Sequence, residues 1–192
     1  MTETEILNIF KKSGALLTGH FLLTSGRHSD RYFQCAKVLQ YPEYTEMLCK
    51  MIADNFRNTE LDTVIAPAIG GLVVGQEVAR QLNKRFIFAE REDKKLSLRR
   101  GFSLDENEKV LVCEDVVTTG GSVFEVIDIV KSINAKVVGV GFIVDRSNGK
   151  VNFEHSQFST LKMEVVSYLP DECPFCREDI ELVKPGSRKV KV

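Results

Sequence analysis

The chain has 192 residues, 43% of them hydrophobic and 28% charged, with 26 basic against 27 acidic side chains. That length suits one domain that folds without staples, and the composition excludes disordered, collagenous and fibrous classes. A net charge of −1 argues against nucleic acid as a partner, since such binders gain affinity by neutralising phosphates. The longest apolar run, 137–144, falls far short of the roughly 20 residues of a membrane-spanning helix. The acidic start MTETEILNIF lacks the basic and apolar regions of a signal peptide. A soluble cytoplasmic protein with no membrane partner is expected.

In chain order, residues 2–12 read as a helix. Thr2 and Glu5 fit a capping box, Ile6, Leu7, Ile9 and Phe10 form one stripe, and Gly14 ends it. The polar segment 24–33, TSGRHSDRYF, reads as a loop or exposed hairpin. Pro42 suits a helix start, with Tyr44, Met47, Leu48, Met51 and Ile52 on one face. Thr63–Ala68 is a β-rich run, Gly71–Leu82 a helix, and Phe86–Ala89 another short run. Residues 109–115 form a run that turns acidic at its end. Ser122–Asn134 is a helix with Val123, Val126, Ile127 and Val130 inward, Lys136–Val144 is almost wholly apolar, and 161–169 suggests a last strand. Apolar strands alternating with helices of this length imply an α/β protein whose mostly parallel sheet is covered on both faces. The N-terminal elements, about 1–40, and the tail 171–192 are expected to flank a core of about 41–170 as a small hood.

Five cysteines, an odd number, do not read as a disulfide framework. Cys35, Cys49 and Cys113 sit among apolar neighbours and read as core residues. Cys173 and Cys176 form a single CxxC, and one pair cannot complete a four-ligand zinc site within the chain. Two subunits could complete it, but a reduced pair with a local structural role is the expectation, and no residue is assigned to a metal. His20 and His155 carry no readable pattern. Lys84, Arg85, Arg91, Lys94, Lys95, Arg99 and Arg100 crowd together. They read either as a solvated face or as a patch for a small polyanion, and composition favours the former.

The chemistry concentrates in Val110–Ser122, VLVCEDVVTTGGS. This buried strand carries adjacent carboxylates, Glu114 and Asp115, near its carboxyl end. Desolvating both without partners costs several kcal/mol, by about the amount of any buried unpaired charge, so a ligand role is indicated. Ligands of open α/β sheets bind beyond the carboxyl ends of the strands. Thr118, Thr119, Gly120, Gly121 and Ser122 follow, leading into a helix. Free amide groups, hydroxyls and the helix dipole there make a phosphate cradle. Neither GxxxxGK[ST] nor GxGxxG is present. Acids that accept from a vicinal diol, beside a turn that holds a phosphate, describe a ribose 5-phosphate ligand.

VLVCEDVVTTGGS resembles the signature of the type I phosphoribosyltransferases, whose substrate is 5-phosphoribosyl 1-diphosphate. With TSGRHSDRYF, PAIGG at 67–71 and VDR at 144–146, the order is similar to that of the orotate phosphoribosyltransferases. CPFC and KPGSR look like a branch of that family. The resemblance spans essentially the whole chain. It implies a single domain over 1–192 with the type I phosphoribosyltransferase fold, a mostly parallel sheet with helices on both faces and a small N-terminal hood. It implies transfer of the phosphoribosyl group to orotate with Mg²⁺, giving orotidine 5-phosphate and diphosphate in pyrimidine biosynthesis.

By the same resemblance, Arg91, Glu114, Asp115, Val116, Val117, Thr118, Thr119, Gly120, Gly121 and Ser122 bind the donor. Thr118, Arg146, Tyr32 and Phe33 face orotate, the arginine gripping its carboxylate while Asp145 orients it. Gly70 and Gly71 face the diphosphate. Segment 91–101 matches the family's mobile catalytic loop, which reaches the neighbouring site of a homodimer. Lys94, Lys95 and Asp115 are the catalytic candidates. The chain has Thr24 where many members carry lysine, and LSLRRGF where the common loop has a histidine and a glycine-rich middle. Two other readings are another base phosphoribosyltransferase and a nucleic-acid-binding regulator on the same fold.

Overall fold

The computed structural model describes residues 1–23, 25–163 and 166–185. Thr24, part of the expected strand 161–169 and most of KPGSR lie outside the described residues. In chain order the elements are α1 (Glu3–Lys12), β1 (Leu16–Leu22), β2 (His28–Phe33), α2 (Ala36–Leu39), α3 (Pro42–Phe56), β3 (Thr63–Pro67), α4 (Gly71–Leu82), β4 (Arg85–Glu92), β5 (Lys95–Leu98), β6 (Lys109–Val117), α5 (Gly121–Ser132), β7 (Lys136–Asp145), β8 (Gln157–Lys162) and β9 (Ser167–Tyr168). A 3₁₀ turn (Pro170–Glu172) and the short α6 (Pro174–Arg177) follow. The chain divides into two compact units, one of residues 1–38 with 164–192 and one of residues 39–163.

The larger unit is built on a six-stranded sheet of order β5-β4-β3-β6-β7-β8. Every pairing from β4 to β8 is parallel; β5 alone runs antiparallel, on β4. Helices α3 and α4 cover one face and α5 the other, as strands apolar on both sides require. On the α5 face, Val123, Val126, Ile127 and Val130 pack with Ile65, Ile87, Val110, Val112, Val140 and Phe142. On the other face α3 approaches β7 so closely that a Cβ at Gly139 would stand 2.4 Å from the Phe56 ring, and one at Gly141 2.3 Å from Ile52. The glycines inside the apolar run 136–144 therefore mark helix contact rather than weak strand.

The smaller unit holds the three-stranded antiparallel sheet β1-β2-β9. Helix α1 starts with the expected capping box: the Glu5 N–H donates to Thr2 Oγ1 and the Thr2 N–H to Glu5 Oε2. Its stripe buries Ile6, Ile9 and Phe10, and the Phe10 ring meets Phe33 edge-on at 5.4 Å. Residues 25–33 take the hairpin form of the expectation, with β2 as the second strand. The C-terminal segment returns to this sheet. Arg27 donates to Ser167 Oγ and O, Ser29 Oγ to Val166 O, and the Leu22 N–H to Val183 O.

Three strands differ from the sequence reading. β1 escapes notice because its register shifts between Thr18 and Phe21. His20 and Phe21 are consequently both buried, and the alternation that signals a strand is broken. The expected strand at 161–169 is replaced by β8 in one sheet and β9 in the other, because QFST at the start of β8 offers little apolar signal. β5 arises where a loop is expected. Asp93 and Lys94, at φ 46° and 71°, make a two-residue hairpin turn, and the alternation of KLSL buries Leu96.

Candidate active site

β6 lies between β3 and β7, and its residues Val110–Cys113 are fully buried. Pairing with β3 stops at Val112, while pairing with β7 runs on to Val117. The last residues of β6 thus run on beyond the paired part of β3, toward the place where the chain turns through Ala68–Gly70 into α4. Glu114 and Asp115 lie in this stretch. Glu114 is only 7% exposed, and its Oε1 accepts from the Asp115 N–H at 3.0 Å; Asp115 Oδ1 accepts from the Val116 N–H at 2.8 Å.

The turn into α4 is pressed onto these acids. A Cβ on Gly70 would stand 2.6 Å from Asp115 Oδ1, and one on Gly71 3.1 Å from Glu114 Oε1. Gly70 is therefore needed because the Asp115 carboxyl occupies the space of a side chain, while at Gly71 the Cys113 carbonyl at 3.0 Å and the Ala66 methyl at 3.1 Å share that space with Glu114. Burial, then the neighbouring Asp115 charge, pushes the Glu114 carboxyl well above the usual carboxylate range. Burial raises Asp115 as well. Like charges this close do not both ionise freely, so the pair retains a proton that an ordinary surface pair would have lost.

After Val117 the chain makes the Thr118–Gly120 turn and enters α5. Thr118, Thr119 and Gly121 are exposed and Ser122 half-buried. Gly120 takes φ 76°; a Cβ there would also meet the Phe153 ring at 2.8 Å and Val151 at 3.0 Å. No side chain caps α5 or α4; in the first turn of α4 the Leu72 N–H donates back to Ile69 O at 3.2 Å, while helix geometry leaves the first N–H groups of α5 without a partner inside the helix. Two positive helix ends thus face the region holding two acids. Such ends attract anions, and the exposed threonine hydroxyls add donors to one of them.

Arg146 follows β7, and its N–H donates to Val117 O at 2.8 Å. The arginine is thereby fixed beside the start of the phosphate turn. Asp145 is buried, and its Oδ1 accepts from the Ser147 N–H at 2.8 Å and from Ser147 Oγ at 2.6 Å. It orders the loop after β7. That loop brings Phe153 back under the phosphate turn, 4.9 Å from the Phe124 ring. Ser147 and Phe153 both shape the site, yet each is a single residue in a polar stretch that no pattern flags.

Segment 91–101, expected as a loop, comprises the tip of the β4–β5 hairpin and the turn after it. Its charges sort in a way the sequence does not reveal. Arg91 grips both oxygens of Glu125 on α5, at 2.9 and 3.2 Å, and donates to the Lys94 carbonyl. The guanidinium holds the Glu125 carboxyl below the usual range, and Glu125 also accepts the Leu96 N–H. Arg100 pairs twice with Glu90, Arg99 with Glu92 and Arg85 with Glu108. Among the described residues, no ion pair forms at Lys94 or Lys95. The basic cluster is thus neither a uniform patch nor a plain solvated face: its arginines are matched by acids and two lysines at the hairpin tip are not.

Tyr32 and Phe33 belong to the smaller unit. Phe33 is buried against Phe10, which commits its ring to the core, while Tyr32 is half-buried 6.0 Å from the Phe21 ring. Cys173 and Cys176 lie in the same unit, beside His20 and His28.

Residues 39–168 match the family model described as a phosphoribosyl transferase domain. The chain is 61% identical over 188 residues to an orotate phosphoribosyltransferase of Chlorobaculum parvum, covering 98% of this chain and 97% of that one. It is 57% identical over 190 residues to one of Desulforamulus reducens, covering 99% and 100%. The crystal structure of orotate phosphoribosyltransferase from Aeropyrum pernix superposes with a TM-score of 0.71 at 25% identity, over 82% of this chain and 93% of that one. An adenine phosphoribosyltransferase of Thermoanaerobacter pseudethanolicus, at 18% identity and a TM-score of 0.61, shares the fold. With a family model matched over residues 39–168 and relatives alike over nearly their whole length, the chain belongs to the orotate phosphoribosyltransferase family.

Proposed function

We infer that this chain transfers the phosphoribosyl group of 5-phosphoribosyl 1-diphosphate to orotate, giving orotidine 5-phosphate and diphosphate. The observation that carries the reading is the desolvated Glu114–Asp115 pair between the glycine turn into α4 and the uncapped start of α5. Two buried acids gain little for folding. They gain from a ligand that offers hydroxyl donors to them and an anionic group to the adjacent amides.

In this reading the carboxyl groups of Glu114 and Asp115 hold the 2- and 3-hydroxyls of the ribose. The N–H groups of Thr118 to Ser122, together with the threonine hydroxyls, hold the 5-phosphate; Val116 and Val117 supply the backbone that leads into that turn. Held at both ends, the sugar presents its anomeric carbon in a fixed direction, which removes much of the entropic cost of the encounter. Arg146, anchored by its own backbone to Val117, faces the orotate carboxylate, where a planar guanidinium can make two parallel hydrogen bonds. Thr118 shares that edge. Tyr32 is the hood side chain assigned to orotate, and Phe33 contributes through its backbone.

The leaving diphosphate develops negative charge as the anomeric bond breaks and the sugar gains cationic character. Lys94 and Lys95, which form no ion pair among the described residues, are assigned to that charge, and Arg91 joins them on exchanging Glu125 for the donor. A hairpin tip brought in on closure adds charge stabilisation and excludes the water that would hydrolyse the activated sugar. Action of this hairpin across a homodimer, and residence in the cytoplasm, belong to the same reading. Mg²⁺ fits the site because the Glu114 and Asp115 carboxyl groups are desolvated and short of positive charge; arriving with the donor, it would lie beside these two residues and would supply charge neutralisation of the leaving group.

The direct test is an ultraviolet assay of orotate consumption with donor and Mg²⁺ omitted in turn. Consumption should require both. In that assay Asp115→Asn should lower kcat/KM by about 10²-fold, the scale of losing one charged contact made to the transition state; kinetics near those of the wild type would remove Asp115 from the mechanism.

Arg146→Ala should raise KM for orotate about tenfold or more, the value of a charge-assisted pair, with KM for the donor nearly unchanged. An equal rise in both would show that Arg146 does not grip the carboxylate.

The acid pair also makes the ligand-free protein sensitive to pH. A carboxyl whose pKa is raised on folding binds its proton more tightly in the folded state. Its contribution is fully present below the unfolded value, about 4.3, and is lost as pH rises toward the folded value, at up to about 1.4 kcal/mol per pH unit for one proton. Glu114→Gln should therefore flatten the decline of Tm between about pH 5 and pH 8. Parallel profiles for the two proteins would contradict a raised Glu114.

A further inference from the structure

The smaller unit contains a cluster that the transferase chemistry does not use. The bulge in β1 turns His20 inward, β2 starts with His28, and the segment around α6 presents Cys173 and Cys176. His20, His28 and Cys173 are buried and Cys176 is exposed. His20 Nε2 lies 2.9 Å from His28 Nδ1, 3.4 Å from Cys173 Sγ and 3.7 Å from Cys176 Sγ, and Cys176 Sγ lies 3.3 Å from His28 Nδ1. The four atoms all fall within 4.8 Å of one another.

A zinc ion with Zn–N of about 2.0–2.1 Å and Zn–S of about 2.3 Å in tetrahedral geometry separates its ligand atoms by about 3.3–3.8 Å. The three nitrogen–sulfur distances fall in that range. The two nitrogens stand closer, and a small rotation of either imidazole opens the gap. The other ring nitrogen of His20, Nδ1, is 2.8 Å from the Ile180 carbonyl. Nδ1 must donate there, since a carbonyl only accepts, so a neutral His20 turns the lone pair of Nε2 toward the cluster. Metal-binding histidines are oriented in this way by an outer hydrogen bond. A hydrogen bond between the histidines would explain the 2.9 Å contact alone; it gives no reason for two thiols to converge on the same nitrogens.

We propose that His20, His28, Cys173 and Cys176 form a structural zinc site within one chain. Two histidines and two cysteines fill a tetrahedral shell and leave no open position, so the site has no role in turnover chemistry. Zinc binding releases the thiol protons to solvent, and the ion bonds to the two sulfurs as thiolates. The unit it serves has only about 67 residues, a size at which a core alone supplies little stability. The ion clips the C-terminal segment to the β1–β2 hairpin, whose second strand carries Ser29–Phe33. The proposal is independent of the transferase reading.

The test uses the untagged full chain, purified reduced and without chelator, with metals measured by mass spectrometry. About one zinc per chain is expected. Replacement by cobalt(II) should give a thiolate-to-metal charge-transfer band and the intense visible bands of a tetrahedral ion. The double variant Cys173→Ser, Cys176→Ser should lose both metal and bands, while His155→Ala keeps them. Stripping the ion should lower the wild-type Tm by several degrees. Less than about 0.1 zinc per chain after incubation with zinc and dialysis, an octahedral cobalt spectrum, or full metal retention by the double variant would each overturn the proposal. Should the double variant fail to fold, the wild-type stoichiometry and cobalt spectrum decide it.

Discussion

Two carboxyl groups cannot sit side by side in a desolvated strand end unless something offsets their cost, and the larger unit is arranged around that constraint. The glycines of PAIGG exist where Glu114 and Asp115 need room. β6 outruns β3, which places the acids at the open carboxyl edge of the sheet. Two uncapped helices begin there. Their positive ends ease the acids slightly and attract the anionic parts of a ligand strongly. Burial and the neighbouring Asp115 charge favour the protonated Glu114 carboxyl in the free protein. Stability and the proposed binding are therefore opposed at this point: the residues that make the ligand-free strand end costly are those assigned to the ribose phosphate.

The β4–β5 hairpin shows the same economy of charge. A run of basic residues would repel itself and bind polyanions without discrimination. Here each arginine of the hairpin meets an acid, through Glu90, Glu92 or Glu125. The pairing with Glu125 also ties the hairpin to the helix that starts at the phosphate turn. What is left over is a pair of lysines at the tip, on a turn held by two residues at positive φ. A small, directed cationic group is better suited to one leaving group than a broad patch is.

Much of this architecture is legible in the sequence because it follows from short-range pattern. Thr2 with Glu5 marks the first helix. The alternation of apolar runs with helical stretches gives the parallel sheet and its two covered faces. VLVCEDVVTTGGS gives strand, acids, turn and helix in one line. Long-range facts stay hidden. The β1 bulge breaks the alternation that would announce a strand, and it also turns His20 toward cysteines more than 150 residues away. Glu125, Ser147 and Phe153 shape the site through single contacts that carry no periodic signal. KLSL reads as part of a charged loop until Asp93 and Lys94 are seen to close a two-residue turn. Phe33, read as an orotate neighbour, has its ring committed to Phe10.

The role of this strand end depends on where the activated sugar binds. A crystal structure with 5-phosphoribosyl 1-diphosphate measures that directly. The sugar's 5-phosphate should lie within hydrogen-bond distance of the N–H groups of Thr118 to Ser122, with its vicinal hydroxyls on Glu114 and Asp115. Density for the donor at any other place, with this turn and these carboxyl groups unengaged, would contradict it.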